Sequence, residues 1–463
     1  MARELALLSA TELSLLLSAR QVSPVELVED VLYHIDHHNS SLHSYITICA
    51  DEAKSAALQA GQEIREGRLR GPLHGIPVAH KDVSWTAGLR TTAHSQTLLT
   101  FVPDEDATHV SRLRQAGTIL VGKTNTTEFA CGGLEIFGYT RNPWDLSRYT
   151  GGSSCGSANA VAAGLTVLAT GSDTGGSIRA PSALCGIVGV KPTYGRVSRH
   201  GLIPLSWSMD TVGPMARCVA DAALMLNAMA GYDPRDRASS QSPVPDYALA
   251  LKGDLRGVTL GIPERHFYEG LDPNVDRAVR AALRQLEDLG ARLEPVGLPR
   301  AAEMLDVGNV IIFSDAFALH AGRLRRQSLE YSERARRRIA AGAFYTAAEY
   351  QQATQLRALW VQEVDEVLRR FDALVTPTVK FPAFPIELQQ AGGQPDTGLN
   401  TRPFNVSGHP AITVPCGFTP TGLPVGLQLI ARPYEEQVLF TIGHAYERAA
   451  MWHRRRPVME VAD

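Results

Sequence analysis

The part of this sequence with the clearest capacity for chemistry is a glycine-rich stretch that runs from Thr150 to Arg179. Two Gly-Gly-Ser clusters stand in it, one ending at Ser153 and the other at Ser177. Repeated glycine is costly unless the backbone must adopt positive φ or approach a ligand closely. The second cluster, from Asp173 to Ser177, can present several adjacent N–H groups around a serine hydroxyl. That arrangement is what an oxyanion hole requires.

Two other motifs compete for the same stretch. A phosphate-binding loop is disfavoured because neither G-x-x-x-x-G-K-[ST] nor G-x-G-x-x-G is present. The residues from Gly152 to Gly156 do satisfy G-x-S-x-G, which would make Ser154 the nucleophile of a hydrolase elbow. Such an elbow follows a buried strand, whereas the segment from Arg141 to Arg148 is polar and interrupted by proline. The sequence therefore disfavours Ser154 as the nucleophile.

A lysine upstream is a candidate base. Lys81 stands near the end of an apolar run, Gly75 to Val83, which is typical of a buried strand. A lone lysine is most often a solvated surface residue. Burial in a strand would favour its neutral amine, which can accept a proton. The assignment of Lys81 therefore depends on the motifs that accompany it.

Those motifs, taken in order, resemble the amidase signature family. The matching segments are GIPVAHKD at Gly75–Asp82, GKTNTTEFA at Gly122–Ala130, NPW at Asn142–Trp144, GGSSCGSA at Gly151–Ala158, DTGGSIR at Asp173–Arg179, and later pieces at Gly186–Thr193, Ser208–Pro214, Pro403–Asn405 and Pro415–Gln428. The resemblance extends from about Ser23 to Ala431. Two positions depart from the pattern: His80 stands where an apolar residue is more usual, and Cys155 where glycine or serine is more usual.

The resemblance implies a relay in which Ser177 is the nucleophile, Ser153 the bridging serine and Lys81 the base. The family's spacing favours Ser153 over Ser154 for the bridge. It also implies a cis peptide bond at Gly152–Ser153. The neutral lysine would take the proton of the bridging serine, which takes that of the nucleophile, and the reverse path would protonate the leaving amine. No metal ion and no cofactor are implied.

Further residues around the relay follow from the same resemblance. The oxyanion hole and the substrate contacts are expected from Thr174, Gly175, Gly176, Ser154, Cys131 and Gly132, and support behind them from Asp173 and Arg179. The pocket walls are expected from four segments with aromatic residues, which suit an apolar or aromatic group: Glu128 to Gly138, Ser206 to Met209, Phe313 to Phe317 and Phe344 to Tyr350.

The elements that must position these residues alternate between short apolar runs and helices. Strands are predicted at Gly75–Val83, Thr118–Gly122, Leu165–Ala169, Val258–Ile262 and Ala373–Val375, and helix starts at Ser23-Pro24 with Glu26, at Asp272-Pro273, and at Thr346 with Glu349. This alternation predicts an α/β protein. The resemblance specifies a large mixed, twisted sheet between helical layers, with strands from both halves of the chain. We expect one domain, residues 1–463, with a helical section to about 70, a signature core from about 71 to 215, and the remaining sheet and helices from about 216 to 463.

Composition limits the partners. The 463 residues are 44% hydrophobic and carry a net charge of −3, which gives no electrostatic reason to expect nucleic acid or an anionic membrane. Charged residues interrupt the apolar runs near the start, so a cytoplasmic location is predicted. The six cysteines form no C-x-x-C pair, which is typical of reduced, buried thiols. The seven arginines between Arg323 and Arg338 are interleaved with glutamates and are predicted to form a solvated helix face.

These observations lead to a functional prediction with two alternatives. We expect a stand-alone amidase that hydrolyses a small-molecule amide or carbamate, with anilides and esters as related substrates. Neither nucleic acid nor a membrane is expected as a partner, whereas a homodimer is compatible with the prediction. The first alternative is the amidase subunit of a glutamine-dependent tRNA amidotransferase, which would need partner subunits and pass ammonia onward. It is disfavoured because Gly322 to Tyr350 looks like stand-alone amidases. The second, an idle scaffold, is disfavoured by the complete relay.

Overall fold

The computed structural model describes residues 4–459. Within that range the strands are β1 (Tyr45–Ile48), β2 (Pro77–Lys81), β3 (Ile119–Thr124), β4 (Arg141–Asn142), β5 (Asp145–Tyr149), β6 (Leu168–Asp173), β7 (Val188–Lys191), β8 (Thr211–Ala216), β9 (Thr259–Ile262), β10 (Arg292–Pro295), β11 (Ala373–Pro377), β12 (Ala411–Phe418) and β13 (Pro424–Ile430). The α-helices are α1 (Ala10–Ser18), α2 (Pro24–Leu42), α3 (Ala50–Arg65), α4 (Thr108–Gln115), α5 (Cys155–Ala162), α6 (Arg179–Cys185), α7 (Val219–Met229), α8 (Glu264–Phe267), α9 (Pro273–Asp288), α10 (Glu303–Gln327), α11 (Glu333–Ala341), α12 (Ala347–Leu368), α13 (Ile386–Gln390), α14 (Arg402–Ser407) and α15 (Glu436–Ala450).

Eleven of these strands form one mixed sheet in the order β1-β3-β2-β6-β8-β7-β12-β13-β11-β9-β10. Strand β2 pairs in parallel with both β3 and β6, whereas β6 pairs antiparallel with β8. The predicted α/β fold with a large mixed sheet flanked by helices is confirmed, and both halves of the chain contribute strands to it. The division into one domain with three sections stays a prediction.

The helix starts follow the local sequence as predicted. Ser23 and Glu26 form a capping box at the start of α2, and Thr346 and Glu349 form another at the start of α12. In each, the hydroxyl accepts a backbone N–H and the glutamate reaches back to the N-cap, which satisfies donors that the first turn would leave unpaired. The side chain of Asp272 likewise accepts a backbone N–H at the start of α9.

Two strands differ from the prediction. The section to residue 70 was expected to be helical, but it contains β1, a short edge strand that pairs antiparallel with β3. Strand β6 extends to Asp173 instead of ending at Ala169. Its second half contains Thr170 and Ser172, which look like loop residues but are buried with hydrogen-bonded hydroxyls. Buried polar groups are tolerated where such partners exist, and periodicity alone does not reveal them.

Helix α10 is the longest helix among the described residues, and the stretch Glu303–Glu330 is long and apolar enough, by length and composition, to cross a membrane. Its side chains at Met304, Ile311 and Ala316 are nevertheless buried in the protein core, together with residues of α12 and α14. It therefore acts here as a core helix. All six cysteines are free and buried, as predicted.

Candidate active site

Lys81 is the last residue of β2 and is completely buried. Every residue of this central strand is buried, because it lies between β3 and β6 in the sheet. The Lys81 Nζ lies 2.6 Å from the Ser153 Oγ and 2.9 Å from the Ser172 Oγ. Burial disfavours the ammonium form and lowers the pKa of Lys81 to about 7. A substantial fraction of this amine is therefore neutral near neutral pH and able to accept a proton.

Ser153 occupies the segment between β5 and α5, and the peptide bond Gly152–Ser153 is cis, as the resemblance implies. The next residue ties this segment to the second glycine-serine cluster, because the Ser154 N–H donates to the Ser177 carbonyl at 3.2 Å. The Ser154 hydroxyl donates to the Ser172 carbonyl instead of facing the cavity, and Ser154 is fully buried. The structure thus places Ser154 behind the site and not against a substrate.

Ser177 lies in the connection between β6 and α6, and it lines the same cavity as Ser153. The Ser177 hydroxyl makes no hydrogen bond with any of the residues 4–459. Lys81 and Ser153 are therefore in direct contact, whereas Ser177 stands on the cavity wall without a hydrogen bond to Ser153. A relay through the three side chains requires a hydrogen bond between Ser153 and Ser177 that this structure does not contain.

The loop from Thr174 to Ser177 carries the N–H groups expected to form the oxyanion hole. The Gly176 N–H is already used, because it donates to the Asp173 Oδ1 at 2.7 Å. Within the described part of the chain, the N–H groups of Thr174, Gly175 and Ser177 have no acceptor. The Gly176 N–H is therefore engaged in this structure, and the expectation that it serves the oxyanion stays a prediction; Thr174, Gly175 and Ser177 offer three donors that have no acceptor among residues 4–459.

Gly176 has a different role in this loop, which is conformational. Its φ is +125°, and a Cβ built on it would lie 2.0 Å from the Thr401 Oγ1. Both the backbone angle and this close approach exclude any larger residue. Gly176 thus permits the backbone conformation of the loop that carries Ser177.

Asp173 and Arg179 hold the loop from behind, where sequence analysis placed them. The Asp173 carboxylate accepts the N–H groups of Gly176, Ile178 and Arg179, and the guanidinium of Arg179 binds both of its oxygens at 3.0 Å. Although burial opposes ionisation, the Arg179 guanidinium holds the pKa of Asp173 well below its usual range. Asn405 completes the cluster by donating to Asp173 at 2.8 Å. This fully paired network fixes the C-terminal part of the loop and the residues that follow it.

The cavity in front of Ser177 measures about 430 Å³. Cys131 and Gly132 line it, as expected, together with Thr174, Gly175 and Gly176. The expectation that four segments supply aromatic walls is only partly met: Phe313 lines the cavity, whereas Tyr149 and Phe384, which also line it, lie outside those segments. Of the four proposed segments, only Ala130, Cys131, Gly132 and Phe313 line the cavity, and Phe344 is 84% exposed at the surface.

Charged side chains also form part of the wall: Arg334, Arg338, Arg402 and Asp396. Arg402 binds Asp396 through two contacts, at 2.9 and 3.0 Å. Arg338 donates to the Cys131 carbonyl at 2.9 Å and lies over the Phe313 ring, but it has no carboxylate within 4.0 Å among residues 4–459. Burial lowers its pKa. The prediction of a solvated arginine face is therefore wrong for Arg334 and Arg338, which helix α11 directs to the cavity.

Sequence reasoning also missed residues next to the relay. Ser172 stands two positions after Thr170 on β6, and both contact Lys81, since the Thr170 hydroxyl accepts the Lys81 backbone N–H at 3.3 Å. The alternation of a strand places such residues on one face, but nothing apolar in this stretch indicated that the strand continues past Ala169. Asp210 is another, and it accepts the Thr174 hydroxyl at 2.6 Å.

A family model and several similar proteins assign the chain to the same family. A family model described as Amidase matches residues 26–440. The subunit designated A of glutamyl-tRNA(Gln) amidotransferase from Chloroflexus aurantiacus (strain ATCC 29366 / DSM 635 / J-10-fl) is 43% identical, covering 99% of this chain and 100% of that protein. The crystal structure of the subunit with the same name from Thermotoga maritima has a TM-score of 0.84 at 33% identity, covering 99% of both chains. The peptide amidase of Stenotrophomonas maltophilia has a TM-score of 0.87 at 34% identity, covering 97% of this chain and 98% of its own.

These relatives correct two expectations from the sequence. The prediction of a stand-alone amidase for aryl and alkyl amides is wrong, because full-length relatives at 41 and 43% identity are named as subunits of an amidotransferase. The expectation of a small-molecule amide or carbamate substrate with no nucleic acid is wrong for the same reason, since those relatives are named for glutamyl-tRNA(Gln). The segment from Gly322 to Tyr350, which favoured the stand-alone enzyme, instead supplies Arg334 and Arg338 to the cavity.

Proposed function

The chain belongs to the amidase family, and from that premise we propose that it is the amidase subunit of a glutamine-dependent tRNA amidotransferase. The observation that carries this proposal is the 43% identity to a protein named as an amidotransferase subunit, over essentially the full length of both chains. In this role the chain releases ammonia from glutamine, and partner subunits use that ammonia on a tRNA-bound residue. The predicted cytoplasmic location is retained as part of the proposal.

The chemistry follows from Lys81, Ser153 and Ser177, of which the two serines line the cavity and Lys81 lies buried behind Ser153. Lys81, in its neutral form, accepts the proton of Ser153, and Ser153 accepts that of Ser177 as the Ser177 Oγ attacks the side-chain amide of glutamine. The contact of 2.6 Å between Lys81 and Ser153 supports the first transfer. Returning the proton by the same path turns the leaving group into ammonia. Water then attacks the glutamyl ester on Ser177 and restores the enzyme.

The loop before Ser177 stabilises the negative charge that develops on the amide oxygen. Its available N–H groups, on Thr174, Gly175 and Ser177, lie on a loop whose C-terminal part is held in advance by the Asp173 network. Donors that are held in place before the reaction stabilise the transition state more than flexible ones do. Ser172 has a separate role: by accepting an N–H of Lys81 at 2.9 Å, it directs the amine toward Ser153.

The charges of the cavity support an amino acid as the amide substrate. A half-buried guanidinium with no carboxylate within 4.0 Å among residues 4–459, as that of Arg338 is, gains most from a ligand that brings one. The α-carboxylate of glutamine supplies that group. Asp396, at the same wall, faces the α-ammonium, in competition with Arg402. Aryl amides offer neither charge.

We expect Arg338→Met to raise the KM for glutamine about tenfold to a hundredfold, since a charge-assisted hydrogen bond to a carboxylate contributes about 1.5–3 kcal/mol. The kcat should change less, because Arg338 does not touch the relay. Steady-state ammonia release measures both constants. Arg337→Met is the matched control: this neighbour is exposed and paired with Glu333. Equal effects of the two substitutions would contradict the assignment.

We also expect a chelator such as EDTA to leave glutamine hydrolysis unchanged. The relay supplies base and acid, and the N–H groups stabilise the oxyanion without a Lewis acid. Within residues 4–459, no three His, Cys, Asp or Glu side chains are grouped so as to hold a metal ion. Ammonia release before and after dialysis against EDTA, with metal analysis of the protein, tests this. A stoichiometric metal whose removal stops turnover is the contrary result.

The proposed function is tested by comparing substrates. The purified chain, alone and with the other subunits of the amidotransferase from the same organism, is assayed for ammonia release from glutamine and from butyramide, and for formation of glutaminyl-tRNA(Gln) from glutamyl-tRNA(Gln). We expect kcat/KM to favour glutamine by about a hundredfold or more, because two charged contacts of about 1.5–3 kcal/mol each are lost with butyramide. The tRNA product should require this chain. Faster hydrolysis of butyramide, or a tRNA product that forms without the chain, contradicts the proposal.

A further inference from the structure

A carboxylate that the relay does not use lies beside the oxyanion loop. Asp210 immediately precedes β8, the antiparallel neighbour of β6, and is therefore opposite the start of the loop. Its Oδ1 accepts the Thr174 hydroxyl at 2.6 Å. Its Oδ2 accepts the backbone N–H groups of Leu205 and Ser206 at 2.9 and 3.1 Å. One side chain thus joins two segments of the cavity, because Thr174 and Leu205 both line it.

The surroundings of Asp210 differ from those of Asp173. Asp173 is paired with the Arg179 guanidinium, whereas Asp210 has no basic group within 4.0 Å among the residues that the structure describes. Its partners are neutral donors, and burial raises its pKa to about 6. A buried carboxylate without an ion pair costs stability, so its place beside the reacting serine calls for a functional reason.

We propose that Asp210 is a positioning residue, which fixes the oxyanion N–H groups against the cavity wall through Thr174 on one side and Leu205 on the other. The identity of the reaction in this inference rests on the proposed function, whereas the geometry of the loop does not. Thr174 contributes two groups: its hydroxyl is held by Asp210, and its backbone N–H is available to donate to the oxyanion. When that hydroxyl is anchored, the direction of the N–H is set before the substrate arrives. Asp173 fixes the C-terminal part of the loop, and Asp210 fixes its first residue.

The test uses a fluorophosphonate probe, which reacts with a nucleophilic serine by forming an O–P bond and expelling fluoride. Its phosphoryl oxygen requires the same N–H groups as the oxyanion, so the second-order rate of labelling reports on the loop without glutamine. Thr174→Val, Asp210→Ala and the double variant are compared with the wild-type chain. The matched control is Thr108→Val, because the Thr108 hydroxyl also donates to a buried carboxylate, that of Asp233, outside the cavity.

We expect Thr174→Val to label about tenfold more slowly and Asp210→Ala at least as slowly, since a whole oxyanion donor contributes about 10²–10³-fold. The double variant should be no slower than Asp210→Ala, because the two changes remove one interaction. For glutamine, kcat should fall while KM changes less than about threefold. Thr108→Val should lose thermal stability but label at the wild-type rate.

Labelling of Thr174→Val at the wild-type rate, or effects that multiply in the double variant, overturns the inference. If Asp210→Ala does not fold, the comparison of Thr174→Val with Thr108→Val still decides it. Failure of the proposed function is distinguishable, since a wild-type chain that labels at Ser177 but does not hydrolyse glutamine refutes the substrate and leaves the labelling comparison intact.

Discussion

Replacing Ser177 with alanine should lower glutamine turnover by on the order of 10⁴-fold or more. The substitution removes the attacking oxygen and little else. Ser177 stands on the cavity wall, and its hydroxyl has no hydrogen bond to another residue among 4–459, so the fold should lose almost no stability. The effect is therefore expected on kcat, with a melting temperature close to that of the wild-type chain.

Steady-state kinetics and thermal melting of Ser177→Ala measure this directly. Ser147→Ala is a suitable control, because Ser147 is exposed and its hydroxyl donates to the nearby Asp145; it should have full activity. Near-normal activity of Ser177→Ala would move the nucleophile to another serine, of which Ser154 is the first to test.

The second large effect is expected at Lys81, whose neutral form starts the relay. Because burial lowers the pKa of Lys81 to about 7, the amine becomes protonated as the pH falls below that value and can no longer accept a proton. Turnover should therefore fall on the acid side of pH 7 and reach a plateau above it. Lys81→Ala should lower kcat by about 10³-fold or more and remove the acid limb from the activity that remains.

A second buried lysine provides a matched control. Burial also lowers the pKa of Lys191 to about 7, but its Nζ donates to the Pro192 carbonyl and it does not line the cavity. Lys191→Met, which nearly preserves volume, should keep the acid limb. If Lys191→Met removes the limb and Lys81→Ala leaves it unchanged, the assignment of Lys81 as the base is wrong.

The same Lys81 variant tests the return of the proton. Expulsion of ammonia requires a proton delivered through Ser153, whereas an alkoxide leaves more readily. Lys81→Ala should therefore lower kcat/KM more for glutamine than for the γ-methyl ester of glutamate. An equal loss on the two substrates would show that Lys81 does not serve as the proton donor.

Much of the relay could be predicted from the sequence because its residues lie in short motifs with little freedom. Lys81 ends an apolar strand, and Ser153 and Ser177 each follow a pair of glycines. Paired glycines indicate a backbone conformation that larger residues would not adopt. The meeting of Lys81 with Ser153 depends on β2 lying beside β6 in the sheet. The order of strands is a long-range property, so this contact came from the family resemblance and not from local pattern.

The cavity wall could not be predicted in the same way. Arg334 and Arg338 are one helical turn apart on α11, next to the buried positions Ala335 and Ile339. That spacing marks the border of the buried face, where a long side chain can reach into a cavity or into solvent. The interleaved glutamates favoured the prediction that these arginines extend into solvent. Their actual direction depends on the packing of α11 on α10. The error over substrate had a different origin, the likeness of Gly322 to Tyr350 to stand-alone amidases.

The most direct test of the account is to trap the covalent intermediate. The wild-type chain is mixed with glutamine, quenched in acid at times that bracket one turnover, digested, and analysed by mass spectrometry with fragmentation. We predict a glutamyl ester on Ser177, absent from Ser177→Ala, and no comparable acyl group from butyramide. A glutamyl group on Ser153 or Ser154, or acylation by butyramide but not by glutamine, would contradict the account.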